Sequence, residues 1–531
     1  IFTMIATGLI FWRPGELRSW RFAMLAALLL TALEAWLGQI NMGTGNAAMV
    51  EVLHLGLALL IQALLIAVSV AAFSMQKTGQ PSARMRFQTA FGKWTLVAAG
   101  AIFVVMLSGL YLSYASSAQV CAAWPFCAGP LLPASGGARL EIAHRLLTLF
   151  ASVAVLGLLI SAWRRQRSQV VILSAATSVA VLFLGQVLIG ALKVARNYPL
   201  DLIGLHAAET AGLWAALIVL VVSTGLAGRT ESEELQDAHE PFELGQRLRD
   251  FLVLTKPLIV LLLLVTTYAG MVVGAKAIPS FSLTFWTILG GALAAGGASA
   301  INQYIDRDLD REMQRTAKRP LAARRMTPAE GLAFAIALCL ASFFIMAGFI
   351  NLLAAVLSLA GMVYYVLIYS VLLKKATVQN IVIGGGAGAI PPMVGWAAVT
   401  GSLSMPAIFL FAIVFLWTPP HFWALALVRR KDYARASVSM LPVVKGEQYT
   451  RQQIFIYTLE LVAMTILMPI LHMAGSLFLV LAVGFGGAMV YYAWRLLRKG
   501  GNKAAYTLFR FSNMYLLFIF VSLMVDALIK L

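Results

Sequence analysis

Phe285-Trp-Thr-Ile-Leu-Gly-Gly-Ala-Leu-Ala-Ala-Gly-Gly-Ala-Ser-Ala-Ile301 carries no charge and runs straight into Asn302-Gln-Tyr-Ile-Asp306-Arg307-Asp308-Leu-Asp310-Arg311-Glu-Met-Gln-Arg315-Thr-Ala-Lys318-Arg319-Pro320. The first half has the apolarity of a helix that crosses a bilayer, which needs about 20 such residues. The second half is dense in charge. An apolar helix that ends in a charged motif puts that motif at a membrane mouth.

The rest of the chain repeats the pattern of apolar runs between short charged loops. Of 531 residues, 61% are hydrophobic and 12% charged, and the net charge is +18. Soluble proteins average about 45–50% apolar and about 25% charged residues. A soluble globular domain and a disordered chain are excluded, and three cysteines exclude a disulfide scaffold. Spans are expected near 20–38, 50–73, 94–114, 142–163, 170–192 and 205–226. Nine more follow near 256–274, 285–301, 330–349, 351–372, 380–398, 405–427, 452–470, 476–494 and 506–529, and residues 1–12 read as the tail of another. The fold class is therefore an all-α polytopic membrane protein of two helical bundles, six to seven spans and then nine.

Alternating the loops between sides puts 34 of the 40 Lys and Arg on one face. The positive-inside bias makes that face cytoplasmic, in a bacterial inner membrane, and leaves the loop around Cys121 outside. The basic residues are spread over eight short loops, so the partner they imply is the lipid bilayer and not nucleic acid. Gly228–Asp250 is crowded with Glu231, Glu233, Glu234, Asp237, Glu240 and Glu243. It is too acidic to be buried and reads as a cytoplasmic linker, 229–245, between modules 1–228 and 246–531.

In the rear module, Asn302, Asp306 and Asp310 recur every four residues and share one helix face. Clustered carboxylates are costly unless neutralised, and Mg²⁺ shared with substrate phosphates is their natural partner. Asp308 belongs to the same run, and Arg315, Lys318 and Arg319 can hold the phosphates. A metal-bound diphosphate leaves readily from an allylic prenyl chain, and apolar spans suit the lipid tail. The bland reading is a mutually paired Asp/Arg loop. A second polar group is Arg429-Arg430-Lys431-Asp432-Tyr433. Asp432 is a candidate for a second Mg²⁺, and Arg430 and Lys431 for the leaving diphosphate. A third is Lys374-Lys375-Ala-Thr-Val-Gln-Asn380, followed by the Gly384–Gly386 run, which permits close packing or a bend. His421, in Trp417-Thr-Pro-Pro-His421-Phe-Trp423, either meets a flat porphyrin or is a packed polar residue beside a proline kink.

In the front module Leu37-Gly38-Gln39 precedes His54, and Leu184-Gly185-Gln186 precedes His206, which suggests an internal repeat of helix pairs. His54, His144 and His206 lie near span ends, and intramembrane ionisable groups are functional candidates by default. Neutral imidazoles on neighbouring helices, His144 and His206, can clamp one haem iron. A histidine hydrogen-bonded at headgroup level is the bland reading. Glu141 and His144 are three apart, so Glu141 can orient the ring or relay a proton. Arg145 can meet a haem propionate. Cys121 and Cys127 form either a disulfide, a reversible thiol pair or two free thiols.

These residues carry two resemblances. Cys121-x5-Cys127, Glu141-x-x-His144-Arg145 and His206 resemble the half-repeat of the haem A synthase family over residues 1–226. That family has eight spans in two halves, and the resemblance implies haem b held by His144 and His206, with His54 matching the second histidine of the other half. The first histidine of that half should precede residue 13, and residues 1–12 contain none. Ile1 at the start favours a fragment of a longer protein over a module that has lost catalysis. The resemblance also implies an electron donor for haem oxidation and contact with cytochrome oxidase assembly factors.

Leu254-Thr-Lys256-Pro257, the Asn302–Pro320 run, Asn380–Pro392 with Gly395-Trp396, Pro419-Pro420-His421-Phe-Trp423 and Lys431-Asp-Tyr433 leading to Met440-Leu-Pro442 resemble the UbiA superfamily. Within it they resemble the protohaem IX farnesyltransferases over about 246–531. Where Ser437 and Ser439 stand, that family leads us to expect Gly and Pro. The resemblance implies a Mg²⁺-dependent transfer of farnesyl from farnesyl diphosphate to a vinyl group of haem b, giving haem O. Asn302, Asp306, Asp310, Lys431 and Asp432 would be the catalytic set, with Asp308, Arg315, Lys318, Arg319, Arg430, Tyr433, Lys374, Asn380 and His421 around the substrates. The whole chain then reads as two consecutive steps of haem A biosynthesis. The rivals are a prenyltransferase with a quinone-type aromatic acceptor and a front module that is a non-catalytic haem-binding scaffold.

Overall fold

The structure, a computed structural model, describes residues 20–43, 48–78, 85–114, 121, 123–127, 135–239, 244–435 and 438–529. Residues 1–12 and Ser437, on which expectations rested above, lie outside them. The chain divides into two compact units, Ile1–Phe242 and Glu243–Leu531. Fifteen helices among the described residues are long and apolar enough to cross a membrane, at the fifteen places where complete spans are expected, in a multi-pass membrane protein.

The first unit holds α1 (Arg21–Gly43), α2 (Ala48–Thr78), α3 (Ala90–Tyr114), α4 (Gly136–Arg165), α5 (Val170–Ala195), α6 (Leu200–Ala227) and α7 (Glu231–His239). A single shift of 152 residues carries the end of α1 at Gly43 onto the end of α5 at Ala195, and the start of α2 at Ala48 onto the start of α6 at Leu200. It also carries His54 onto His206. The repeat is therefore real, but its register is not that of the Leu-Gly-Gln tripeptides, because Gly38 matches Gly190 and not Gly185. The reason is contact. A Cβ on Gly38 would lie 3.1 Å from His54 Cε1, and one on Gly190 would lie 3.2 Å from His206 Cε1. The repeat is also written across α2 and α6. Trp214 Nε1 donates to the Leu59 carbonyl at 2.8 Å, and Gln62 Nε2 donates to the Ala211 carbonyl at 3.2 Å. Those four positions exchange under the same shift, so the two helices meet about a local twofold axis.

The acidic seam is only partly solvated. α7 packs on α4, and Glu234 is 1% exposed. Gln166 Nε2 donates to Glu234 Oε1 at 2.7 Å, while Arg229 donates to Gln166 Oε1 and to the Arg165 carbonyl. The Gln166 amide at the end of α4 supplies one oxygen of the buried carboxylate with a partner, and the Arg229 and Arg165 guanidiniums lie within electrostatic reach of it. The expectation that this stretch stays unburied is corrected at that residue.

The second unit begins with α8 (Leu244–Leu254). Nine spans follow: α9 (Pro257–Ala275), α10 (Phe281–Glu312), α11 (Pro328–Phe349), α12 (Leu352–Leu373), α13 (Asn380–Thr400), α14 (Met405–Val428), α15 (Glu447–Ile470), α16 (Ser476–Lys499) and α17 (Asn502–Ile529). Each of the nine packs on the next, and α9 packs on α17, so the bundle closes on itself. Lipid offers no hydrophobic drive between helices, so close backbone approach supplies it. α9 and α13 show this reciprocally. A Cβ on Gly270 would stand 2.1 Å from the Pro392 carbonyl oxygen, and one on Gly395 would stand 1.9 Å from that of Thr267. Four span threonines are satisfied locally: Thr267, Thr287, Thr418 and Thr458 each donate to the carbonyl four residues back. Asp526 of α17 accepts from the backbone N–H of Gly475 and Phe478 at the start of α16, where a carboxylate meets the positive helix end.

Gly395→Ala is expected to destabilise the folded protein in detergent by about 1–3 kcal/mol through overpacking, whereas Gly388→Ala, with open space at its Cβ, should leave the melting temperature unchanged. Equal melting temperatures for the two variants would refute the close-approach account.

Candidate functional site

The long α10 carries the aspartate motif as a helical continuation of its apolar run, so the four-residue spacing becomes one buried face. Asn302, Asp306 and Asp310 are 4%, 5% and 3% exposed. Asn302 Nδ2 donates to Asp306 Oδ2 at 2.8 Å and to Ser370 Oγ at 3.1 Å. Lys374 Nζ pairs with Asp306 Oδ2 at 2.5 Å, and Arg319 Nη1 pairs with Asp310 Oδ2 at 2.6 Å. The loop after α10 and the end of α12 thus each send one base to one carboxylate. Asp308 is excluded by the helical period: two residues from Asp306, it faces outward, is exposed and pairs with Arg311 at 3.1 Å. It is not part of the cluster.

Local structure explains how these groups meet. From Tyr364 to Leu373, α12 winds as a π-helix, a form that recurs at functional sites. There Ser370 Oγ donates to the Tyr365 carbonyl, five residues back. The wide turn points Ser370 at Asn302 and delivers Lys374 to Asp306. The glycine run of α13 lies against it: a Cβ on Gly384 would meet the Tyr369 ring at 2.3 Å, and one on Gly386 would meet the Tyr364 hydroxyl at 3.1 Å. Close packing is therefore the role of those glycines. The loop carrying Arg315, Lys318 and Arg319 is clamped from α8. Arg325 is bound to Asp250 through Nη2 at 2.9 Å, and Arg247 to Glu330 at 3.0 Å. Thr327 and Glu330 form a reciprocal cap at the start of α11.

The remaining candidates are more dispersed. Arg315 and Lys318 are exposed on that loop. Arg430 and Lys431 are exposed too, and Asp432 sits 3.8 Å from Arg429. Asp432 does not join Asp306 and Asp310, and no group of three His, Cys, Asp or Glu residues converges among the described residues. Tyr433 does connect the loops. Burial pushes its phenol up, against the pull of the Arg315 and Arg429 guanidiniums beside it. Asn380 ties the same region together, donating to the carbonyls of Lys374 at 3.1 Å and Ser439 at 3.3 Å. His421 is a core residue. Its ring lies between Trp417 at 4.2 Å and Phe509 at 4.6 Å, and its Nδ1 is 2.8 Å from Ser512 Oγ. The packed-residue alternative describes it, away from the charged cluster.

In the first unit, His144 on α4 and His206 on α6 stand within electrostatic reach of each other. His144 Nδ1 is held by Ser108 Oγ at 2.8 Å, which leaves Nε2 for a ligand. His206 Nδ1 is buried without a partner. A Cβ on Gly109 would lie 3.1 Å from His144 Cε1, the same glycine–imidazole contact that the repeat shows at His54 and His206. The rings are therefore seated against bare backbone. His54 is engaged by Glu34, through the backbone carbonyl at 3.0 Å and the carboxylate at 3.5 Å.

Two expectations change here. Glu141 pairs with Arg145 and does not orient His144. Arg145 Nη1 donates to the carbonyls of Ala123 and Pro125, so the guanidinium anchors the loop that Cys121 and Cys127 close as a disulfide and is engaged by protein groups on two sides. Lys193, at the end of α5, is within electrostatic reach of His144 and His206 and has no carboxylate partner within ion-pair distance among the described residues. Sequence reasoning gave no role to it, nor to Ser108, Ser370, Gln303 or Lys256. Of these only Lys256 had a local signal, a lysine before proline at the mouth of a span. Its Nζ reaches Asn302 Oδ1 at 3.1 Å.

Comparison with known proteins agrees with this division. Residues 1–218 match the model of a cytochrome oxidase assembly protein family, and residues 263–519 that of the UbiA prenyltransferase family. A Protoheme IX farnesyltransferase of Roseiflexus sp. (strain RS-1) is 42% identical over 81% of this chain and 82% of its own length. Another, from Symbiobacterium thermophilum, is 48% identical over 54% of this chain and 97% of its own length. Among solved structures, a UbiA homolog from Archaeoglobus fulgidus bound to GPP and Mg2+ is 15% identical, with a TM-score of 0.39, over 52% of this chain and 99% of that one. With one relative matched through both units, the chain belongs to the protohaem IX farnesyltransferases of the UbiA prenyltransferase family, and it carries a cytochrome oxidase assembly protein domain in front.

Proposed function

We propose that the second unit transfers the farnesyl group of farnesyl diphosphate to a vinyl carbon of haem b, giving haem O. The observation that carries this is the buried pair Asp306–Asp310, each neutralised by a base from a different loop. Hard carboxylate oxygens one helical turn apart suit a divalent cation shared with phosphate. Mg²⁺ held there would supply Lewis-acid stabilisation of the departing diphosphate. With Asp306 and Asp310 holding the cation, Lys374 and Arg319 would be available to the phosphate oxygens, one charge-assisted contact exchanged for another. Asn302, fixed by Ser370, keeps Asp306 aimed. The stacked rings of Tyr365 and Tyr369, 5.6 Å apart, stand near Asp306 and offer quadrupole faces to the positive charge that grows on the allylic carbon. The charge asymmetry of the loops supports an inner-membrane setting with this site facing the cytoplasm and the disulfide loop outside.

For the first unit we infer that His144 and His206 would hold the iron of haem b and that Lys193 would take a propionate. The haem would supply the redox couple for oxidising haem O to haem A. The domain match and the histidine–glycine contacts support this reading. The electron donor and any assembly factors belong to the same proposal. Joining the two units would spare a scarcely soluble haem from leaving the membrane between steps.

Three outcomes test these readings. Asp306→Ala should abolish farnesyl transfer to haem b in a membrane assay while the bound-haem spectrum stays intact; retained transfer would remove the metal assignment. His144→Ala and His206→Ala should each lose the low-spin haem spectrum, and the assignment of this histidine pair is wrong if both keep it. Supplied with haem b and farnesyl diphosphate, the joined chain should produce haem A faster than the two units expressed apart. Equal rates defeat the transfer advantage, and haem O without haem A makes the first unit a scaffold.

A further inference from the structure

The charge arrangement around Asp306 and Asp310 is odd by one. Two buried carboxylates already have two bases, Lys374 and Arg319. A third cation, Lys256, points into the same cluster from the segment ahead of α9. Its ammonium donates to the neutral amide oxygen of Asn302 at 3.1 Å, and among the described residues no carboxylate lies within ion-pair distance of it. Burial and the Arg319 guanidinium push this ammonium down to about 7, against the opposing pull of Asp310 and Asp306. A half-buried cation whose partner is a neutral amide is a costly feature of a resting protein.

The backbone at Lys256 is costly too. It adopts φ 51° and ψ 60°, the left-handed region, where a residue with a Cβ is strained. The surrounding structure enforces it. Gln303, the neighbour of Asn302 on α10, donates to the carbonyls of Leu254 at 2.8 Å and Val253 at 3.4 Å. Thr255 Oγ1 donates to the Leu252 carbonyl, and Lys256 N–H to that of Val253. Pro257 then starts α9. Gly296 of α10 lets Thr255 close in, since a Cβ there would stand 3.1 Å from it. The aspartate helix itself therefore turns Lys256 toward the aspartates. Strain that surrounding contacts over-determine marks a functional position.

We propose that Lys256 is a third diphosphate-binding cation, which takes a non-bridging oxygen of the prenyl diphosphate and stabilises the charge that collects on it as the C–O bond breaks. The assignment rests on the prenyl-transfer reading above. It comes from neither polar loop. The left-handed turn presents the ammonium before substrate arrives, and Asn302 holds it in the meantime. The incoming diphosphate is more negative than one divalent cation neutralises, and Lys256 supplies part of the balance without moving its backbone.

The test uses the full chain in nanodiscs, with Mg²⁺ and the unreactive analogue farnesyl S-thiolodiphosphate, and reads binding affinity and melting temperature together. Lys256→Met should weaken analogue binding about 10- to 100-fold, the worth of one charge-assisted hydrogen bond. Lys256→Gly relieves the left-handed strain, so it should melt higher than wild type and bind as poorly as Lys256→Met. Lys256→Arg should stay within a few-fold of wild type. Lys276→Met, at the other left-handed lysine of α9, should change nothing. A folded Lys256→Met or Lys256→Gly variant with wild-type affinity overturns the assignment alone. Wild-type protein that does not bind the analogue overturns the assignment and the prenyl-transfer reading together.

Discussion

Two carboxylates buried on one face at the end of a membrane-spanning helix must be neutralised, and much of the second unit is arranged around that need. Asp306 and Asp310 stay buried because Lys374 and Arg319 reach them. Lys374 reaches because α12 widens into a π-helix, and Arg319 because its loop is clamped to α8 by the Asp250–Arg325 and Arg247–Glu330 pairs. Breaking a buried pair is far more costly than never making one. These contacts also explain why polar chemistry can sit at the mouth of an otherwise apolar bundle. The same arrangement makes the cluster responsive, since a divalent cation and a phosphate group offer both carboxylates and both bases new partners of the same kind.

The first unit obeys a different constraint, the seating of imidazoles against bare backbone. Gly38, Gly109 and Gly190 each face the Cε1 edge of a histidine, so close that a Cβ would crowd it at 3.1–3.2 Å. The shift of 152 residues relates two of these contacts, together with the reciprocal Trp214–Leu59 and Gln62–Ala211 hydrogen bonds. A duplicated helix pair thus preserves its contacts more faithfully than its residue types. Tryptophan and glutamine do the same work at matched positions, each donating one N–H across the local axis.

This explains where sequence reading went astray. Leu-Gly-Gln recurs by letter, yet its two copies stand at different distances from their histidines, so they share no contact. Arg145 resembles a propionate ligand by motif, but the disulfide loop brings carbonyls to it first. Asp308 belongs to the acidic run, but the helical period turns it outward. Glu234 lies in a stretch with every mark of a solvated linker, and Gln166 buries it all the same. For Arg145 and Glu234 the deciding partner is far away in the chain, whereas Asp308 is decided by the helical period itself.

What the sequence determined by itself is everything governed by local periodicity and composition: the fifteen apolar spans, the acidic seam, and the shared face of Asn302, Asp306 and Asp310. A helix imposes its period without help, and a bilayer demands a fixed length of apolar chain. The tertiary structure alone decided which base meets which carboxylate, the π-turn that delivers Lys374, the disulfide loop's hold on Arg145, and the left-handed turn that aims Lys256. Those depend on pairs of groups distant in sequence, whose meeting is set by helix packing and by the cost of leaving a buried charge without a partner.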